Sequence, residues 1–119
     1  MQKSVPHFYT QETPILIAVD CVIFGYQEGQ LNILLVKRNF EPGLGQWSLM
    51  GGFLQGNETL DLAAKRILNQ LTGLNNVYLE QLHAYSEVAR DQAARVVSVA
   101  YYALIDIKTS NEQLTQTQR

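Results

Sequence analysis

Few side chains in this sequence could do chemistry, and most of them stand alone. Asp20 is the single charge in the apolar run from Ile15 to Tyr26. A carboxylate there must be paired or point into a polar pocket, so it reads either as a ligand contact or as the partner of a nearby cation. Lys37 and Arg38 end a second apolar run. Alternation along a strand sends one inward and one outward, either onto an anionic or polyhydroxyl ligand or into water at an ordinary strand end. Phe40 and Glu41 follow in a Pro/Gly loop. Loops carry function, and Glu41 could accept hydrogen bonds from sugar hydroxyls or be merely solvated. Trp47 could stack on a base or on the apolar face of a sugar, although a large aromatic opening a strand is more naturally core. Gly51 and Gly52 permit close backbone approach or positive φ, which suits a ligand contact as well as a turn.

Glu58 and Arg66 are eight residues apart, too far to touch along one helix unless Glu58 lies in the preceding loop and folds back; the pair reads as structural. Arg90, Asp91 and Arg95 bracket a polar turn. The first two read as solvated loop, whereas Arg95, opening a strand, is the ligand candidate. His7 and His83 have no partner at motif spacing. The single cysteine, Cys21, lies in an apolar run and reads as a buried, inert thiol that excludes an internal disulfide.

The elements that must position these residues come from a chain of 119 residues, enough for one small domain. At 46% hydrophobic and 17% charged it can build a core, which argues against disorder. Nine basic and eleven acidic residues leave a net charge of -2, so bulk charge does not hold nucleic acid or an anionic membrane. No apolar run is long enough to cross a bilayer, and no leader is visible, which points to a soluble, cytoplasmic domain without membrane contact.

Residues 1–13 are polar and irregular. Ile15 to Tyr26 is apolar on both faces and predicts a strand covered on two sides. A turn at residues 27–30 joins it to a strand from Leu31 to Arg38. Trp47 to Met50 predicts a short strand ending at the glycine pair. Leu60, Ala63, Ala64, Ile67, Leu68 and Leu71 recur at helical spacing, with Asn57 or Thr59 as N-cap and Gly73 as the stop. Two long strands, Val77 to Val88 and Val96 to Ile107, follow, and residues 108–119 form a polar tail. The order strand-strand-loop-strand-helix-strand-strand is α+β with a mixed or antiparallel sheet. The domain proper spans 14–107.

Residues 52–74 carry a motif. Gly52, Glu58, Arg66, Leu68, Gly73 and Leu74 stand in register with the Nudix box. The chain therefore resembles the Nudix superfamily over roughly residues 14–107, which implies an α/β/α sandwich with the box helix packed on a mixed sheet. Three positions where active Nudix enzymes carry glutamates are here Ile67, Gln70 and Leu71. Magnesium requires hard oxygen ligands; two of these side chains supply none and the third only a neutral amide. The resemblance therefore implies a scaffold with its chemistry removed, no catalytic residue and no metal.

Lys37 to Pro42, Gly45 to Phe53, Ala63 to Arg66 and Arg95 to Ala103 resemble, more particularly, the Nudix-related transcriptional regulators. In those, a degenerate Nudix domain senses a small molecule and a C-terminal winged helix binds DNA. The resemblance implies a homodimer whose effector is ADP-ribose-like or a free sugar such as arabinose. Ile67 and Leu71 resemble the sugar-responsive branch more. The implied ligand site comprises Asp20, Lys37, Arg38, Phe40, Glu41, Trp47, Gly51, Gly52 and Arg95, with Glu58 and Arg66 as a structural pair. Neither the winged helix nor the helix that normally follows Ile107 in this fold is matched, so the sequence reads as truncated, with a sheet face short of cover. The alternative is a magnesium-dependent hydrolase of a nucleoside diphosphate-linked substrate, drawing carboxylates from Glu87 or Asp91.

Overall fold

β-Branched and apolar residues fill the stretch that forms the longest strand, β1 (Leu16–Gln27). The computed structural model describes residues 7–38, 41, 44–88 and 94–107. Phe40, Arg90, Asp91 and the tail from 108 onward lie outside the described residues. A one-turn 3-10 helix at His7–Tyr9 precedes β1. Glu28 and Gly29 take φ of 51° and 79°, the left-handed pair of a two-residue hairpin turn whose twist matches its strands. The chain returns antiparallel as β2 (Gln30–Leu34), with Phe24 opposite Ile33.

The strand expected to continue to Arg38 breaks at Leu35. β3 (Val36–Lys37) pairs instead with β4 (Trp47–Ser48) in a separate two-stranded ribbon. The cause is competition for one edge. β5 (Met50–Phe53) takes the place beside β1 that β3 would have occupied, with Met50 opposite Cys21 and Phe53 opposite Ala18. The glycine pair therefore lies inside a strand rather than ending one.

Helix α1 (Leu60–Thr72) begins at Thr59, whose Oγ1 accepts the Leu62 N–H at 3.2 Å. It ends at Gly73, left-handed at φ 77°, whose N–H reaches the Asn69 carbonyl at 2.8 Å. Ala63, Ala64, Ile67 and Leu68 form its buried stripe, packed on Val19, Cys21 and Ile23 of β1 and Met50 of β5 in one core.

After α1 the expected strand from Val77 to Val88 is shortened to β6 (Glu80–Tyr85). Leu74, Val77 and Leu79 are drawn to the core, and Asn76 is left-handed at φ 58°, so the lead-in cannot pair regularly. β7 (Val96–Asp106) runs parallel to β1 from the Leu16–Val96 pair to the Tyr26–Asp106 pair and antiparallel to β6. The result is an α+β fold with a mixed sheet ordered β2-β1-β7-β6 and β5 on the β2 side of β1. On the β1 face under α1 Val19, Cys21 and Ile23 are fully buried, whereas Ala18, Asp20, Val22 and Phe24 on the other are half-buried. The two-sided cover expected for β1 is thus complete on one face only among the described residues, and α1 is the one α-helix layer among them. None of the described helices is long and apolar enough to cross a membrane.

Candidate functional site

Successive residues of a strand face opposite ways, and the glycine pair in β5 shows the consequence. Gly51 lies opposite Asp20, and a Cβ there would stand 2.5 Å from Asp20 Oδ1. Gly52 faces the helix, where a Cβ would stand 3.1 Å from Ile67 Cδ1. Asp20 and Gly51 thus share one sheet face, and Gly52 and the box helix share the other.

Past Phe53 the chain leaves the sheet, with the Leu54 N–H on the Ile17 carbonyl at 2.9 Å, and the loop 54–59 folds back against α1. This brings Glu58 to Arg66 across eight residues. Arg66 Nη2 meets Glu58 Oε1 at 2.7 Å and Nε meets Oε2 at 2.9 Å, a two-pronged pairing that fixes direction as well as distance. Arg66 Nη2 also donates to the Phe53 carbonyl at 2.9 Å, and Nη1 to Gln70 Oε1 at 3.3 Å. The Gln55 N–H completes the cluster on Glu58 Oε1 at 2.9 Å. The Arg66 hydrogen bonds, with a smaller contribution from the Gln55 N–H, hold the Glu58 carboxyl below the usual carboxylate range, and Glu58 raises Arg66 in return.

These residues do not fit a magnesium ion. Both Glu58 oxygens already face donors, Ile67 is 2% exposed in the core, Leu71 packs against that core, and the Gln70 oxygen faces Arg66. Among the described residues no group of three or more His, Cys, Asp or Glu could hold a metal ion.

The other candidates are dispersed. Lys37 and Trp47 face each other across the β3–β4 ribbon. Trp47 is 58% exposed, against the expectation of a core residue, because its ribbon has peeled away from the main sheet. Lys37 is exposed and Arg38 half-buried. The Arg38 backbone closes the following loop, donating to the Gln46 carbonyl and accepting from the Gly45 N–H, both at 2.9 Å. Glu41 Oε1 accepts the Leu44 N–H within that loop at 3.4 Å. Arg95 Nη1 donates to the carbonyls of Glu87 at 3.4 Å and Val96 at 3.3 Å. Its own carbonyl accepts the Leu16 N–H at the sheet end where β1 begins. The Cys21 thiol is pushed up to about 12 by burial and by the Asp20 charge. It is buried and donates to the Ala64 carbonyl at 3.6 Å.

One contact escaped the sequence reading. The Tyr101 hydroxyl, on a side chain only 1% exposed, donates to Asp61 Oδ1 at 2.6 Å. The available signals were an acidic residue in the first turn of a helix and a tyrosine in an apolar strand, and no spacing rule connects positions forty apart.

With this geometry in hand, the family can be assigned. The NUDIX domain family model matches residues 14–118. The chain belongs to the Nudix family. It is 37% identical over 105 residues to the ADPR responsive transcriptional repressor NtrR of Acinetobacter baylyi, covering 87% of this chain and 42% of that protein. It is also 35% identical over 85 residues to the ADP-ribose pyrophosphatase of Methanocaldococcus jannaschii, covering 71% of this chain and 48% of that protein. The chain therefore spans less than half the length of these relatives. Among solved structures it superposes on the NUDIX domain of Shewanella oneidensis NrtR complexed with ADP ribose. That match has a TM-score of 0.73 and 33% identity, and covers 87% of this chain and 72% of the other. Shewanella oneidensis NrtR complexed with a 27mer DNA gives 0.74 at 35% identity, covering 84% and 47%. This Nudix domain is thus similar to part of Nudix-related transcriptional regulators.

Proposed function

We propose that this Nudix domain is the non-catalytic ligand sensor of a transcriptional regulator and that it binds an ADP-ribose-like effector without metal. The observation that carries this is the state of the box helix. Its carboxylate positions are apolar or amide, and the one glutamate left is engaged by Arg66. Water attack on a diphosphate needs a metal or a base on this face, and neither is provided for. The names of the similar proteins favour ADP-ribose over an arabinose-like sugar. In this reading residues 14–107 form the sensor, residues 1–13 an arm and 108–119 a tail. The ligand lies beside the glycine pair, where Gly51 shares its sheet face with Asp20, with Asp20, Lys37, Arg38, Phe40, Glu41, Trp47 and Arg95 as its candidate contacts. The protein acts in the cytoplasm as a homodimer, and DNA is bound by another domain. Effector occupancy then shifts the balance between dimer arrangements.

The second reading, a magnesium-dependent hydrolase, draws on the pyrophosphatase among the similar proteins and would recruit Glu87 or Asp91. Calorimetry with ADP-ribose in the presence of a chelator, paired with chromatography for AMP in magnesium, separates the two. The sensor binds without metal and releases no AMP. AMP release that vanishes on chelation and in Glu58→Gln assigns the hydrolase instead.

A further inference from the structure

The flank of α1 opposite Arg66 and Gln70 borders a cavity of about 640 Å3. Asp61, Lys65 and Leu68 form its helical wall, residues 74–79 the opposite wall, and Tyr101 its β7 side. Two left-handed residues, Gly73 and Asn76, carry the chain away from the helix end and back. Strand pairing resumes only at Glu80, so α1 and the lead-in to β6 stand apart.

The lining is chemically specific. Asp61 and Lys65 are one turn apart on the same helical flank, where side chains at this spacing are neighbours, yet they form no ion pair with each other. Asp61 Oδ1 takes the Tyr101 hydroxyl at 2.6 Å, which leaves Oδ2 without a partner among the described residues. Half-buried Val77 and Leu79 supply an apolar surface beside this charged pair, over a floor of the core residues Leu68 and Leu74. A carboxylate at the wall repels a polyanion such as a diphosphate and accepts an ammonium; the lysine beside it accepts a carboxylate.

We propose that this cavity binds an α-amino acid with a large apolar side chain, its ammonium on Asp61, its carboxylate on Lys65 and its side chain against Val77 and Leu79. The lining includes none of Glu58, Arg66 or Gln70, and the test does not involve ADP-ribose.

Titration of the ¹⁵N-labelled chain with L-phenylalanine should move the backbone amides of residues 74–79 saturably. L-phenylalaninamide lacks the carboxylate and N-acetyl-L-phenylalanine lacks the ammonium; each should bind about tenfold more weakly. Asp61→Asn keeps an acceptor for Tyr101, and Lys65→Met changes an exposed position to another good helix former, so both fold; each should weaken L-phenylalanine by about tenfold. Absence of saturable shifts at 74–79 overturns the site. An affinity for either blocked analogue equal to that for L-phenylalanine, or an unchanged L-phenylalanine affinity in Asp61→Asn or Lys65→Met, reduces it to apolar adhesion and overturns the assignment.

Discussion

Glu58 receives hydrogen bonds from two Arg66 nitrogens and the Gln55 backbone, which makes it the joint between β5, the following loop and α1. Because these contacts lower its pKa in the folded state, the stabilisation is complete above the unfolded-state value and is lost as pH falls through the folded one. Glu58→Gln should therefore lower the urea midpoint at neutral pH and flatten the acid limb of stability against pH. An acid limb unchanged from the wild type would show that the pair is not coupled to folding. Tyr101 gives the opposite sign. Burial, then the bond to Asp61, pushes its phenol up to about 12, so its stabilisation is complete below the ordinary tyrosine value and fades as pH rises toward the folded one. Tyr101→Phe should remove that alkaline loss, read as urea midpoints across the alkaline range. Both residues were visible in the sequence, but only Glu58 had a named partner there. Its partner lies within the same motif, whereas Asp61 and Tyr101 lie on different elements and are forty residues apart.

At the scale of elements, α1 was the most legible, because apolar period, N-cap and C-terminal glycine agree with one another. Thr59→Ala removes the hydroxyl that accepts the Leu62 N–H and should cost about 1 kcal/mol. Gly73→Ala forces a Cβ into φ 77° and should cost about 1 kcal/mol or somewhat more. The two ends share no partner, so the double variant should cost about 2 kcal/mol by chemical denaturation, near the sum. A much larger loss would reveal coupling through the helix. The strands were less legible. Val36 and Lys37 have the composition of a continuing strand, but β5 occupies that edge of β1 instead, and nothing local in either segment declares that competition. The same holds for Val77 to Leu79, which have strand composition but are pulled to the core instead.

For the whole molecule, the decisive quantities are charge and length. A net charge of -2 provides no electrostatic footprint for a phosphate backbone, and the chain covers 42% of the repressor it resembles and 47% of the DNA-bound NrtR chain. The isolated chain should therefore show no specific shift of duplex DNA in a gel at physiological salt. A specific shift would move the DNA contact into this domain and overturn its assignment to another one.

Hydrophobic period and cap chemistry, which are local properties, were enough to establish from the sequence alone the capped helix and the α+β class, and the resemblance of residues 52–74 to the Nudix box pointed to the replaced carboxylates. What only the tertiary structure decided is which groups meet. It sent Gly51 toward Asp20 and Gly52 toward Ile67, on opposite faces of one strand. It stripped Trp47 from the core by peeling β3 and β4 off the sheet. It also brought Tyr101 to Asp61 beside an open cavity. Each outcome follows from a competition between distant segments for one sheet edge or one patch of core, and such a competition is settled by packing rather than by any residue's own preference.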